Sequence, residues 1–159
     1  MIKTNSGRAI VSIHNGMVTK SFSDELMFIK EKFAYERFPF LCAKLNFIDN
    51  INSIIVTYEG VVLRDWLLTN PSDSHKMVVK EKIILLLKNL HDLGYCHCDV
   101  HIDNVIVYPM LDVRLIDFEH LRCRSNKDFF KDIDLVGASY ICGFDDSPRS
   151  IKTALGDFK

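Results

Sequence analysis

The chain has 159 residues, a length that suits one domain with a substantial core and is short for two. It is 48% hydrophobic and 26% charged, the balance of a folded globular protein rather than of a disordered tail. Twenty Lys and Arg stand against 21 Asp and Glu, so there is no general electrostatic pull toward nucleic acid or an anionic membrane surface.

Residues 2–4 form the first expected strand, closed by a turn at Asn5-Ser6-Gly7. Residues 9–13 and 17–20 then read as a hairpin around Asn15-Gly16, a pair that admits positive φ in a tight turn. Ser23 is the expected N-cap of a helix over 24–38, with Asp24 and Glu25 in its first turn and Pro39 as its stop. Phe22, Leu26, Ile29 and Phe33 mark its apolar stripe. Glu31 falls instead beside Met27, Ala34, Tyr35 and Phe38, where a buried carboxylate requires a cationic partner.

Two more strands are expected at 41–47 and 54–58, and Glu59-Gly60 breaks the second. A short helix over 63–68 ends at Asn70-Pro71. The strongest helical signal covers 74–93, where Val79, Ile83, Leu86 and Leu90 recur at three- and four-residue spacing until Gly94 stops the pattern. Strands at 105–108 and 113–116 flank a turn at Pro109 to Asp112, and a last helix is expected over 132–141.

Ionisable residues crowd the loop between Cys96 and Asn104. Asp99 and Asn104 share that loop, and the following hairpin can fold Asp117 back beside Asn104. A carboxylate plus an amide oxygen is a hard-oxygen pair suited to Mg²⁺, which keeps several waters and takes other ligands from phosphates. Asp99 is then left to orient and deprotonate an attacking hydroxyl. Singly, such residues can just as well cap turns or satisfy backbone groups.

The string His97-Cys98-Asp99-Val100-His101-Ile102-Asp103-Asn104, followed by Asp117-Phe118-Glu119, resembles the catalytic loop and metal-binding motif of the protein-kinase-like superfamily. Cys98 stands where Arg is usual and Glu119 where Gly is usual. The likeness is to minimal atypical kinases of the Rio-like and Bud-like groups, compact viral forms included, and to small-molecule kinases. It implies an α+β, compact bilobal kinase-like fold, with a reduced antiparallel-sheet N-lobe and a mainly helical, truncated C-lobe. The expected organisation is one kinase-like domain over 1–159, with lobes at 1–60 and 61–159.

The resemblance also implies roles. Lys20 would meet ATP phosphates and Glu31 would hold it, with Glu25 and Glu36 as competing partners. Gly7 is the nearest remnant of a phosphate-covering Gly-rich loop. Glu59 and Val61 would offer hinge backbone to adenine, between walls from Val11, Val18, Ile106 and Ile116. Asn104 and Asp117 would hold Mg²⁺, Asp99 would act on the acceptor, and His97 would organise the loop. His101 is expected to make a supporting hydrogen bond, and Asp132 or Asp134 to brace the loop. Leu63 and Trp66 read as core.

Cys96, His97, Cys98 and His101 are zinc-ligand types, yet they lack the two separated ligand pairs of common structural sites. A Cys96–His97 nucleophile and base is equally weak, because neighbouring side chains of an extended segment diverge.

The implied activity is transfer of the ATP γ-phosphoryl group to a hydroxyl, with an atypical serine/threonine protein kinase as the leading form. A small-molecule kinase and a non-catalytic kinase-like regulatory protein are the alternatives, and a regulatory protein partner is a further expectation. No Ala-Pro-Glu-like anchor follows Asp117, and Arg114, Arg122, Arg124 and Lys127 are either an anionic-acceptor contact or a solvated rim. No apolar run approaches the roughly 18 residues of a membrane span, and MIKTNSGR carries no secretory apolar region. With five cysteines, an odd number, the expected location is cytoplasm or host cytoplasm.

Overall fold

The computed structural model describes residues 3–5, 9–49, 52–123, 151 and 155. The expected helix over 132–141, with Asp132 and Asp134, lies outside these residues, as do Gly7, Arg124 and Lys127.

Strands β1 (Lys3–Asn5), β2 (Ala9–His14), β3 (Met17–Phe22), β4 (Lys44–Asp49) and β5 (Ser53–Thr57) form an antiparallel sheet in the order β1-β2-β3-β5-β4. Asn15 and Gly16 join β2 to β3 with φ of 50° and 74°, the positive pair whose twist matches the strands it connects. Alternation along β3 puts Lys20 on the same face as Val18 and Phe22, both buried. That period is what turns a lysine inward.

Helix α1 (Glu25–Arg37) departs from expectation in two ways. Its N-cap is Asp24, not Ser23, since the Asp24 carboxylate accepts the Met27 N–H at 3.1 Å. Its buried face carries Glu31, Ala34 and Tyr35, whereas Leu26, Ile29 and Phe33 are exposed at 60%, 51% and 38%. Of the expected stripe, only Phe22, on β3, is buried, while its three helical members face outward.

After α1, Leu41, Cys42 and Ala43 are buried but precede β4, which starts later and ends later than the sequence suggests. Ala43 donates to the Leu115 carbonyl at 3.3 Å, and the Leu115 N–H donates to Leu41 at 2.8 Å. These bonds tie the approach to β4 directly to the last strand before Asp117.

A second sheet has the order β6 (Val61–Val62), β8 (Val105–Val107), β9 (Val113–Leu115), and β7 (Tyr95–Cys96) pairs with β10 (Arg122–Cys123). Gly60 sits where a Cβ would come within 2.2 Å of the Val107 carbonyl oxygen, so only glycine permits this approach of hinge and strand. Helix α2 (Leu63–Leu68) follows at once, then α3 (Asp73–Asp92). Ser72 caps α3 through the His75 N–H at 3.3 Å. Val79, Ile83, Leu86, Leu87 and Leu90 are buried along it, and Gly94 ends it with φ of 88°. One continuous core joins the two sheets and α3, and takes in Leu63 and Ile151. Among the described residues, no helix is long and apolar enough to cross a membrane.

Candidate active site

A cleft of about 590 Å³ opens between the five-stranded sheet and the β8–β9 layer. Its apolar walls come from Val11, Val18, Ile54, Val56 and Ile116, and its polar groups include Lys20, Glu31, Asn104, Asp117 and Glu119. Ile106, expected in the wall, does not line it and is fully buried in the core instead. Val62, its partner on the neighbouring strand, lines the cleft. At the hinge, Glu59 turns its carboxylate outward to Lys44 at 3.6 Å and Val61 is half exposed. Neither residue, both expected to serve the nucleotide, lines the cleft.

Three carboxylates surround Lys20. Its Nζ lies 2.7 Å from Asp117 Oδ1, 2.6 Å from Glu119 Oε1 and 3.7 Å from Glu31 Oε2. The other carboxylates considered on α1, Glu25 and Glu36, are exposed. Burial alone would lower the Lys20 pKa, but the charges of Glu31 and Asp117 and the hydrogen bonds to Asp117 and Glu119 outweigh it and raise it well above normal. Burial pushes Glu31 up to about 8, against the opposing pull of Lys20. Its Oε2 has no hydrogen-bond partner. The Phe118 backbone also hydrogen-bonds Glu31, so α1 is tied to the Asp117-Phe118-Glu119 segment.

The loop after β7 is held by its own polar groups. His97 Nε2 meets the Ile116 carbonyl at 2.9 Å, and its ring lies 4.8 Å from that of Phe118. The Asn104 side-chain amide donates to the Asp99 carbonyl at 2.9 Å and to Asp99 Oδ2 at 3.1 Å. The Ile116 N–H in turn donates to the Asn104 carbonyl at 3.0 Å, which brings the loop to the end of β9. Cys98 and Asp117 have φ of 65° and 67°, left-handed conformations that non-glycine residues adopt only when the surroundings fix them. Burial raises the Asp99 pKa, but the hydrogen bond from His101 and the fields of His101, His97 and His120 more than offset it, so the net shift is downward. Asp99 is therefore an ionised carboxylate at neutral pH.

These contacts test whether Mg²⁺ suits the site. With both amide hydrogens of Asn104 given to Asp99, its Oδ1 is the atom left over, a hard oxygen. Asp117 keeps a third of its side chain exposed in the same cleft. The two fit a Mg²⁺ that relies on phosphate and water for its remaining ligands. Among the described residues, no group of three or more His, Cys, Asp or Glu is arranged to hold a metal by itself. Cys96 is buried, and the ring nitrogens of His97 and His101 take part in hydrogen bonds within the loop.

Two features had no signal in the sequence. Glu119, read only as a departure from Gly, is a direct partner of Lys20. Arg64 grips Asp103 with two nitrogens, Nε to Oδ1 and Nη2 to Oδ2 at 2.8 Å, at the rim of the cleft. Arg114 pairs with Asp112 at 2.6 Å outside the cleft, and Arg122 is exposed on β10.

No curated protein matches the chain. Residues 51–139, more than half of it, match the family model described as the lipopolysaccharide kinase (Kdo/WaaP) family. That span holds the Asp99–Asn104 loop, Asp117 and Glu119. The chain therefore belongs to the lipopolysaccharide kinase (Kdo/WaaP) family, a member of the protein-kinase-like superfamily and a kinase-type phosphotransferase that uses ATP.

Proposed function

We propose that this protein is a Mg·ATP-dependent kinase that phosphorylates a hydroxyl of a small, saccharide-type acceptor. One observation carries the reading: Lys20, Asn104 and Asp117, from three separate elements, line one cleft, with Asp99 bonded to Asn104. The family's name supports a saccharide over the serine/threonine protein acceptor that the sequence favoured. So does the lack of an Ala-Pro-Glu-like anchor for a peptide groove after Asp117.

The nucleotide would lie between a lobe at 1–60 and a lobe at 61–159, its base against Val11, Val18 and Ile116 and the backbone from Glu59 to Val61. Lys20 would exchange Asp117 and Glu119 for the phosphates while Glu31 keeps its direction. Asn104 Oδ1 and the Asp117 carboxylate would hold Mg²⁺. Bound Mg²⁺ supplies positive charge to the phosphoryl oxygens as negative charge develops on them. Asp99 would accept the proton of the acceptor hydroxyl and keep its oxygen aligned. His97 would fix the loop by bonding the Ile116 carbonyl. Positioning and electrostatics carry such a reaction, with no covalent enzyme intermediate. A cytoplasmic or host-cytoplasmic location fits the need for ATP and the free thiols.

The test is transfer of label from γ-labelled ATP to separate saccharide and protein pools. Label is expected in the saccharide pool and is expected to vanish in Asp99→Asn and Asp117→Asn proteins that keep their circular dichroism. Undiminished labelling by both variants rejects the assigned chemistry. Label confined to Ser or Thr of proteins moves the acceptor to the protein class.

A further inference from the structure

Two His-x-Asp turns follow one another in the loop, His97-Cys98-Asp99 and His101-Ile102-Asp103. In each, the ring Nδ1 accepts the backbone N–H of the aspartate two residues on, at 3.3 Å for His97 and 3.2 Å for His101. A backbone N–H can only donate, and the main chain fixes its direction. In this geometry neither Nδ1 carries a proton, which places the ring proton on Nε2.

His97 directs that proton to the Ile116 carbonyl. His101, buried at 2% exposure, has its Nε2 at 3.5 Å from Asp99 Oδ2 and 3.1 Å from the Asn104 amide nitrogen. The Asn104 amide hydrogens already point to Asp99, so between these two neighbours only the Asp99 carboxylate can accept from Nε2–H. The second turn is anchored from outside. Arg64 grips Asp103 in a bidentate pair, and its backbone N–H donates to the Ile102 carbonyl at 3.1 Å.

We propose that His101 is a positioning residue for phosphoryl transfer: its Nε2–H, with the Asn104 amide, pins Asp99 Oδ2 and leaves Oδ1 for the acceptor hydroxyl. This rests on the role of Asp99 proposed above. The contact is local and directional, and a base held within about half an ångström of its working geometry is what such chemistry requires.

Two substitutions split the ring's two bonds. His101→Gln places an N–H near the Nε2 position but loses the Nδ1 acceptor. His101→Asn keeps an acceptor near Nδ1 but cannot reach Asp99. Steady-state turnover of Mg·ATP is expected to stay within about threefold of wild type in His101→Gln. In His101→Asn, kcat is expected to fall by about tenfold or more with KM for ATP unchanged. In an Asp99→Asn background, His101→Asn is expected to cost nothing further. Long-range ¹H–¹⁵N spectra should show the Nε2–H tautomer, with Asp99→Asn shifting Nε2 and leaving Nδ1 in place.

Equal losses in the two variants, an additive double variant, or an Nδ1–H ring overturns the positioning role. So does full turnover in His101→Asn while Asp99→Asn is inactive, and that result leaves the role of Asp99 standing. Full turnover in Asp99→Asn removes the base itself and this proposal with it.

Discussion

Lys20 and Glu119 meet at 2.6 Å, closer than Lys20 approaches either Asp117 or Glu31. The residue that stands where the kinase-like motif usually has glycine is thus a counter-ion for Lys20. Three carboxylates around one ammonium leave this part of the cleft with an excess of negative charge.

Removing one of those charges should help a bare triphosphate. Glu119→Gln is expected to tighten metal-free ATP binding by about tenfold or more, a gain on the order of 2 kcal/mol for one unit charge about 10 Å away at an effective dielectric near 20. Titration calorimetry in EDTA reads this directly. Weaker binding would mean that Glu119 supports Lys20 rather than competing with phosphate for it.

Glu31 gives a pH dependence with a definite sign. Burial holds its pKa up to about 8 in the folded protein, against about 4.5 for an ordinary glutamate in the unfolded chain. Between those two values the folded chain keeps a proton that the unfolded chain has released, so stability falls as pH rises through the window. Glu31→Gln lacks this linkage. Its thermal midpoint should exceed that of wild type by several degrees near pH 8, and the gap should close toward pH 5. Scanning calorimetry across that range checks it. Phosphoryl transfer by the same variant should drop above pH 8, where Glu31 is ionised and Lys20 loses a charged partner.

The sequence showed α3 clearly because Val79, Ile83, Leu86 and Leu90 obey one period and face one core. It showed α1 only in part: the face of Glu31, Ala34, Tyr35 and Phe38 was legible, the outward apolar stripe was not. Leu26, Ile29 and Phe33 are the more apolar face, yet the face that packs carries Glu31, so polarity pointed outward to inward. The spelling of the loop picked out Asp99, Asn104 and Asp117, since fixed spacing within a short segment is visible in one dimension. The bonds of Lys20 to Glu119 and of Arg64 to Asp103 are not, because each joins residues far apart in the chain and no local pattern reports them.

Gly60 tests the hinge. A methyl group there would meet the Val107 carbonyl oxygen at 2.2 Å, and both partners are backbone. Gly60→Ala is expected to cost about 2 kcal/mol or more, by forcing β6 and β8 apart. The urea midpoint should fall accordingly. An unchanged midpoint would mean that the hinge does not lie against β8.

The Arg64–Asp103 pair is partly exposed, with 42% and 31% of the two side chains accessible. Solvent screening limits its worth, and Arg64→Lys should cost only about 1 kcal/mol by losing the bidentate grip. The urea midpoint of that variant measures the loss. A cost near zero would show that the second His-x-Asp turn holds its shape without the clasp.

Anomalous diffraction from the protein bound to Mn²⁺ and a non-hydrolysable ATP analogue bears most directly on the proposed chemistry. One peak is expected in the cleft, within bonding distance of Asn104 Oδ1 and the Asp117 carboxylate, with Lys20 turned to the phosphates. A nucleotide seated elsewhere, or a metal that touches neither Asn104 nor Asp117, would contradict it.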